Sequence, residues 1–431
     1  MKITLIKYLI LFFGLDGVWS AMAQGPEIEW QKSFGGSAAD KAMAAIQTLD
    51  GGYLVTGSTE SVDGDVTDNK VKLNCWLIKL KNTGTLDWKK CVGGETAHQA
   101  NDMVETKDRC IVLAGSTMLK GGNYTGEHGN DDYWITKLNV YDNMQWSRVY
   151  GGKSDDVAKS IQQTTDGGYI VAGWGGLNGN NIIRRSLGGT DFWLMKLNKQ
   201  GGIVWQNSLG GSGMDNASGV VEAADRGYIA AGYSSSNNFN VTNNHGSTDC
   251  WLVKVDTGGI KEWRKSIGGS GLDYAYSIRL TKDKGFIIAG ATESTNGDVQ
   301  GNHGGSDAWI IKTDSAGKID WQKCYGGKNN DVAYFVEQTK DGGYIFSGSS
   351  NSVDGDVTGN HGGTDVWIVK LDNKGNLQWQ KSLGGTKNEQ SKTVHQTNDG
   401  GYIISAFSES SDGDCAENKG NYDFWVIKLK P

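Results

Sequence analysis

The 431-residue chain has no block of basic residues, no apolar run of bilayer length and no stretch of helical period and length. The first absence removes the electrostatic footprint of a nucleic-acid-binding protein, and the formal net charge is −7. The second excludes a transmembrane helix, which needs about 20 predominantly apolar residues in a row. The third leaves strands and turns. Glycine is abundant, 64 residues, yet lacks the three-residue period of collagen. Common hydrolase signatures are missing too: no Gly-x-Ser-x-Gly, no His-Glu-x-x-His and no Ser-x-Asp-x-Gly-x-x-Trp box. With 37% hydrophobic residues and 16 Trp, the composition is that of a folded chain.

The N-terminus reads as a targeting segment. Met1 to Lys7 is a positive n-region, Tyr8 to Leu15 a short apolar core, and Ala21-Met22-Ala23 an A-x-A cleavage site. Residues 1–23 are therefore expected to be a signal peptide and 24–431 the mature protein, exported to a periplasm, an outer surface or the medium. The first Cys is Cys75, so a bacterial lipid anchor is not expected.

Fourteen of the 16 Trp fall into two series. Trp76, Trp134, Trp193, Trp251, Trp309, Trp367 and Trp425 are each followed three residues later by Lys. Trp30, Trp88, Trp146, Trp205, Trp263, Trp321 and Trp379 each precede a Gly-Gly pair, with steps of 58 residues and one of 59. Each unit contains four short aromatic and β-branched runs bounded by Gly, Asp and Asn, the signature of strands joined by turns. Four antiparallel strands repeated seven times predict an all-β, seven-bladed β-propeller. The repeats are 37–94, 95–152, 153–211, 212–269, 270–327, 328–385 and 386–431. The last lacks its fourth strand, and 25–36, with Trp30, is a spare one. The N-terminal strand should therefore complete the last blade and close the ring, and a monomer is expected.

The segment Asp372-Asn373-Lys374-Gly375-Asn376-Leu377-Gln378-Trp379 resembles the Asp-x-x-x-Gly-x-x-x-Trp docking repeat of quinoprotein-type propellers. The fuller unit, with Asp-Gly-Gly-Tyr-Ile and Trp-x-x-Lys-Leu, is similar to a Gly-rich propeller repeat of exported proteins in Gram-negative bacteria. The resemblance implies the fold across the mature chain. It does not imply the quinone cofactor, because no adjacent Cys pair or other quinone-site motif is present.

A residue repeated in every blade has a role that every blade shares. The Asp before the first hairpin (Asp50, Asp108, Asp166, Asp225, Asp283, Asp341, Asp399) and the Lys of the third strand recur seven times. Chain direction puts both on one face of the ring, so they should meet in or between blades; the alternative is an Asp serving its own turn and a snorkelling Lys. The blade-to-blade loops and the long loop between strands two and three share the other face, the expected binding face. A second series, Asp40, Asp156, Asp215, Asp273, Asp331 and Glu389, with His98 in the second blade, starts each innermost strand. Those residues either ring the channel mouth as ligand-binding groups or cap the Gly-Gly loop.

Within the long loops, Asp354, Asp356 and Asp365, Asp298 and Asp307, and Asp412, Asp414 and Asp423 pair carboxylates with Gly and free carbonyls, a pattern that suits Ca²⁺. Asx-turns that brace the loop are the other account. His128, His245, His303 and His361 share one loop position in separate blades, too far apart for one metal site. The third repeat breaks the pattern with Trp174 and then Arg184-Arg185, which could hold a sugar ring or an anionic group. Cys75 and Cys91 flank one hairpin nearly opposite each other and could form a disulfide. The expected function is that of an exported, non-enzymatic propeller binding a glycan, a protein or a surface component. The alternatives are a glycoside hydrolase or lyase using channel-mouth carboxylates and, least favoured, a quinoprotein-like redox enzyme.

Overall fold

The computed structural model describes residues 23–118, 131–176, 187–415 and 417–431; of the expected signal segment only Ala23 lies among them. Seven antiparallel sheets stand around a central axis, and the described residues form no helix. Blade one is built of Asp40–Gln47, Tyr53–Thr59, Asn74–Leu80 and Leu86–Val92, innermost strand first. Blades two to six repeat this order. Blade seven has Glu389–Gln396, Tyr402–Ser408 and Asp423–Leu429, and its fourth strand is Ile28–Phe34 from the other end of the chain. Ala23–Gln24 adds a short parallel pairing to Trp379 and Gln380 of blade six.

The blades hold together through the repeated aromatics. Third-strand Trp such as Trp309 are fully buried in clusters drawn from two neighbouring blades. Fourth-strand Trp reach the next blade instead: Trp321 meets Tyr344 at 5.7 Å between ring centroids, and Trp379 meets Tyr402 at the same distance. The turn Gly of the following blade sits on the same indole. Gly375 adopts φ 75°, and a Cβ there would lie 2.8 Å from Trp321. The Asp-x-x-x-Gly-x-x-x-Trp pattern is thus a turn shaped to receive its neighbour's Trp.

Each innermost strand carries a β-bulge at one fixed place. In blade one Ala42 faces Gly57 and Ala44 faces Thr56, which leaves Met43 unpaired. The equivalent extra residues are Asn101, Lys159, Ser218, Tyr276, Tyr334 and Lys392. In six blades the residue opposite the bulge is glycine, and a Cβ on Gly348 would overlap the Val332 carbonyl; blade seven carries Ala406 there.

A second bulge lies between the third and fourth strands. Leu80 faces Leu86 but Lys79 faces Trp88, so Cys91 falls opposite Trp76 and Cys75 opposite Val92. This corrects the expected pairing of the two cysteines. A one-residue slip turns their side chains to opposite faces, and all six Cys are free thiols. Deleting residues 25–36 leaves Asp423–Leu429 as an open edge. Thermal unfolding should then move down by roughly 5–15 °C, with self-association visible by light scattering; an unchanged transition would show that the borrowed strand does not hold the ring closed.

Candidate functional site

The seven bulge residues point at the axis because the bulge removes them from strand pairing. All seven, Met43, Asn101, Lys159, Ser218, Tyr276, Tyr334 and Lys392, line one cavity of about 320 Å³ in the channel, on the side of the long loops. Trp174, from the second strand of blade three, lines it as well. The ring is chemically lopsided. On one side an aromatic arc runs from Tyr233 to Tyr274 (4.9 Å between centroids), to Tyr276 (5.9 Å, stacked) and to Tyr334 (5.3 Å). It continues into cations. The Lys392 ammonium lies 4.2 Å from the Tyr334 ring centre, and Lys41 lies 4.6 Å from that of Tyr422. Asn216 donates to the Tyr233 hydroxyl at 2.9 Å and Gln390 to that of Tyr334 at 2.5 Å, so the arc is held by amides.

Among the described residues the charged groups of the chamber wall are Lys159, Lys392, Arg279 and Asp102. Arg279 and Asp102 act on each other electrostatically at the floor, where the guanidinium covers Phe335 at 4.4 Å. Above them stand two lysines: Asp131 acts electrostatically on Lys159, and Lys392 has no ion pair among the described residues. Burial pushes the Lys392 ammonium down to about 7, helped by Lys159 and Lys41, and burial lowers Lys159 too. Asp102, Ser160, Arg279, Phe335 and Thr393 line both this chamber and a second cavity of about 160 Å³ further along the axis. They form a partition across the channel, so the chamber has a floor.

The acids at the start of the innermost strands do something else. Asp156, Asp215, Asp273 and Asp331 are buried, and each accepts the second Gly N–H of the preceding Gly-Gly pair at 2.7–2.8 Å. Asp40 and Glu389 do the same. His98 is buried against Trp134, with Nδ1 2.7 Å from the Thr96 carbonyl oxygen. None of these residues lines the chamber, and their place is between connection and strand, as caps.

Loop acids are turned inward as well. Asp354 accepts from the Lys328 N–H, Asp412 from Thr386, and Asp356, Asp298 and Asp414 from the first Gly of their Gly-Gly pairs. Asp307 and Asp365 accept from the backbone and ring of His303 and His361, and Asp423 from the Lys419 N–H. Among the described residues no three His, Cys, Asp or Glu side chains converge as a metal would require. The Ca²⁺ expectation thus meets loops whose carboxylates bind backbone. Arg184, Arg185 and His128 lie outside the described residues.

All seven Asp–Lys pairs form within their own blades, at 2.7–3.1 Å. Each Lys is buried beneath a half-exposed Asp. Sequence reasoning passed over Tyr276, Tyr334 and Lys392. The available signal was that the third residue after each first-strand acid, or after His98, changes from blade to blade within an otherwise constant unit.

No family model matches the chain, and no curated protein matches it. The solved structures similar to it include β-propellers. Sqt1 from Chaetomium thermophilum is 10% identical, with 93% of this chain and all of that chain covered and a TM-score of 0.48. The Pan2 WD40 domain of Neurospora crassa is 9% identical over 77% of this chain and 91% of that one, TM-score 0.42. BamB from Moraxella catarrhalis is 12% identical over 93% and 88%, TM-score 0.40.

The buried acids set the response of the fold to pH. Burial raises Asp156 to about 7 and Asp191, Asp307 and Asp423 to about 6, so the folded state holds their protons more tightly than the unfolded chain. Stability should rise as pH falls from 7 towards 4; between 8 and 7 the protonation of buried Lys392, held down at about 7, opposes that rise. Hydrogen bonds from Lys and Thr, outweighing burial, hold Asp50, Asp108, Asp166, Asp283 and Asp341 down at about 2. Their contribution is lost as pH falls from 4 to 2. Melting curves from pH 2 to 8 should therefore peak near pH 4–5; a flat profile would contradict the protonation states assigned here.

Proposed function

We propose that this protein is a non-catalytic binding propeller whose channel chamber holds a sugar-sized ligand against the tyrosine arc. The observation that carries this reading is the bulge ring. Seven equivalent positions carry Met, Asn, Lys, Ser, Tyr, Tyr and Lys, while the residues that shape the blades repeat. A chamber of about 320 Å³ fits a mono- or disaccharide, within the lower range of small-molecule pockets. Tyr and Trp174 offer flat apolar faces with polar rims, and Asn101, Asn216 and Ser218 offer hydrogen bonds beside them.

Binding is favoured over hydrolysis by the acids of the chamber. Among the described residues its only lining carboxylate is Asp102, at the floor, raised by burial and opposed by Arg279. A glycosidase needs two carboxyl groups, about 5–9.5 Å apart, flanking the bond. The reading goes with export, expected from the N-terminal segment, and with a glycan as the partner. A glycan array probed with the purified protein and with Tyr276→Ala tests it. Tyr276→Ala should retain the fold and weaken the bound glycans by at least about tenfold. Equal binding by both proteins would move the site to the outer loops, and release of shorter glycans would make the protein a hydrolase.

A further inference from the structure

The chamber wall carries more positive charge than it needs for its own fold. Asp102 and Arg279 offset each other at the floor; above them Lys159 is offset only in part, by Asp131, against a dominant cost of burial, and Lys392 is surrounded by rings and by other ammonium groups. Lys41 adds a third ammonium just behind, over the Phe407 and Tyr422 rings. The remaining contacts of Lys392 are also with rings, Tyr334 at 4.2 Å and Phe407 at 5.7 Å. Such clustering in a chain of net charge −7 runs against the overall balance. Enclosed like charges repel, and an apolar side chain would serve packing better. An anion placed between the two ammonium groups would remove that cost.

We infer that the chamber takes a carboxylated sugar, the terminal acidic residue of a glycan chain, with its carboxylate between Lys159 and Lys392 and its ring against Tyr276 and Tyr334. The inference rests on the proposed function and names the ligand class of the same site. A terminal residue is specified because the chamber is floored: the partition of Asp102, Arg279 and Phe335 stops a chain from threading the axis. Lys392 stands at the end of the arc and Lys159 lies within its electrostatic reach across the chamber, so a ring stacked on tyrosine carries its carboxylate towards both.

Titration calorimetry at pH 6.5 with trigalacturonate, its methyl ester and a glutamate-rich peptide of equal charge tests this. The ester keeps the rings and loses the charge. Trigalacturonate should bind at least about tenfold more tightly than the ester, and Lys392→Met and Lys159→Met should bring its affinity down to the ester's level. On the unmodified protein the difference should shrink at pH 9, where Lys392 has given up its proton; this arm stands even if a variant fails to fold. Equal affinity for acid and ester would overturn the charge inference and leave sugar binding in place. Binding of neither sugar would overturn both readings. Tighter binding of the peptide would replace the acidic glycan with an acidic polypeptide.

Discussion

Every blade of this ring lies between two others of its own shape, and that constraint governs the rest of the structure. A side chain that touches a neighbour must fit a surface repeated seven times, so it is itself repeated. The fourth-strand Trp shows how strict this is. Trp321 has the next blade's Tyr344 at 5.7 Å and its Gly375 turn on the indole face, where a Cβ would intrude. The unit length follows: an insertion between Trp and turn would lift one blade off the other. The ring can close only because Ile28–Phe34 supplies the strand that the last repeat lacks.

The same constraint explains where the acids go. A Gly-Gly connection packed against strands brings backbone N–H groups out of water, and these need acceptors. One carboxylate at the start of each innermost strand serves in six blades. A second, at the start of the preceding blade's third strand, comes close to it across the Gly. Such pairs repel, which together with burial raises Asp156 and Asp307. At one junction both acids are replaced together, by Asn74 and His98, which approach the same glycine, Gly93. A change in one partner is accommodated by a change in the other, as expected of groups that share an enclosed space.

Function is left to positions that touch no neighbouring blade in this repeated way. The bulge makes such a position in every innermost strand by pushing one residue out of the ladder toward the axis. Seven blades then give a ring of seven side chains that can change without disturbing the docking of the blades. Here the ring has become a tyrosine arc with an unpaired Lys392 at its end and Lys159 on the same chamber wall. Asymmetry has been built from symmetric parts, and the binding chemistry lies in the asymmetry.

Much of the fold was legible in the amino-acid order. Trp spacing, Asp-Gly-Gly turns and the incomplete last repeat determine the number of blades, their strands and the closure, because interactions between identical neighbours must recur at one period. The Asp–Lys pairs were within reach for the same reason: both members repeat, and chain direction puts them on one face. The site was much less legible. A bulge present in all seven repeats adds nothing to the spacing, so neither the ring of Met43 to Lys392 nor the slip that separates Cys75 from Cys91 shows in a count along the chain. Whether an acid caps a loop or faces a channel depends on which N–H groups lie beside it. Only the tertiary structure decided that the acids repeated from blade to blade are scaffold and that the varied bulge residues meet in one chamber, since strand register and the convergence of seven blades on one axis bring together residues far apart in the chain.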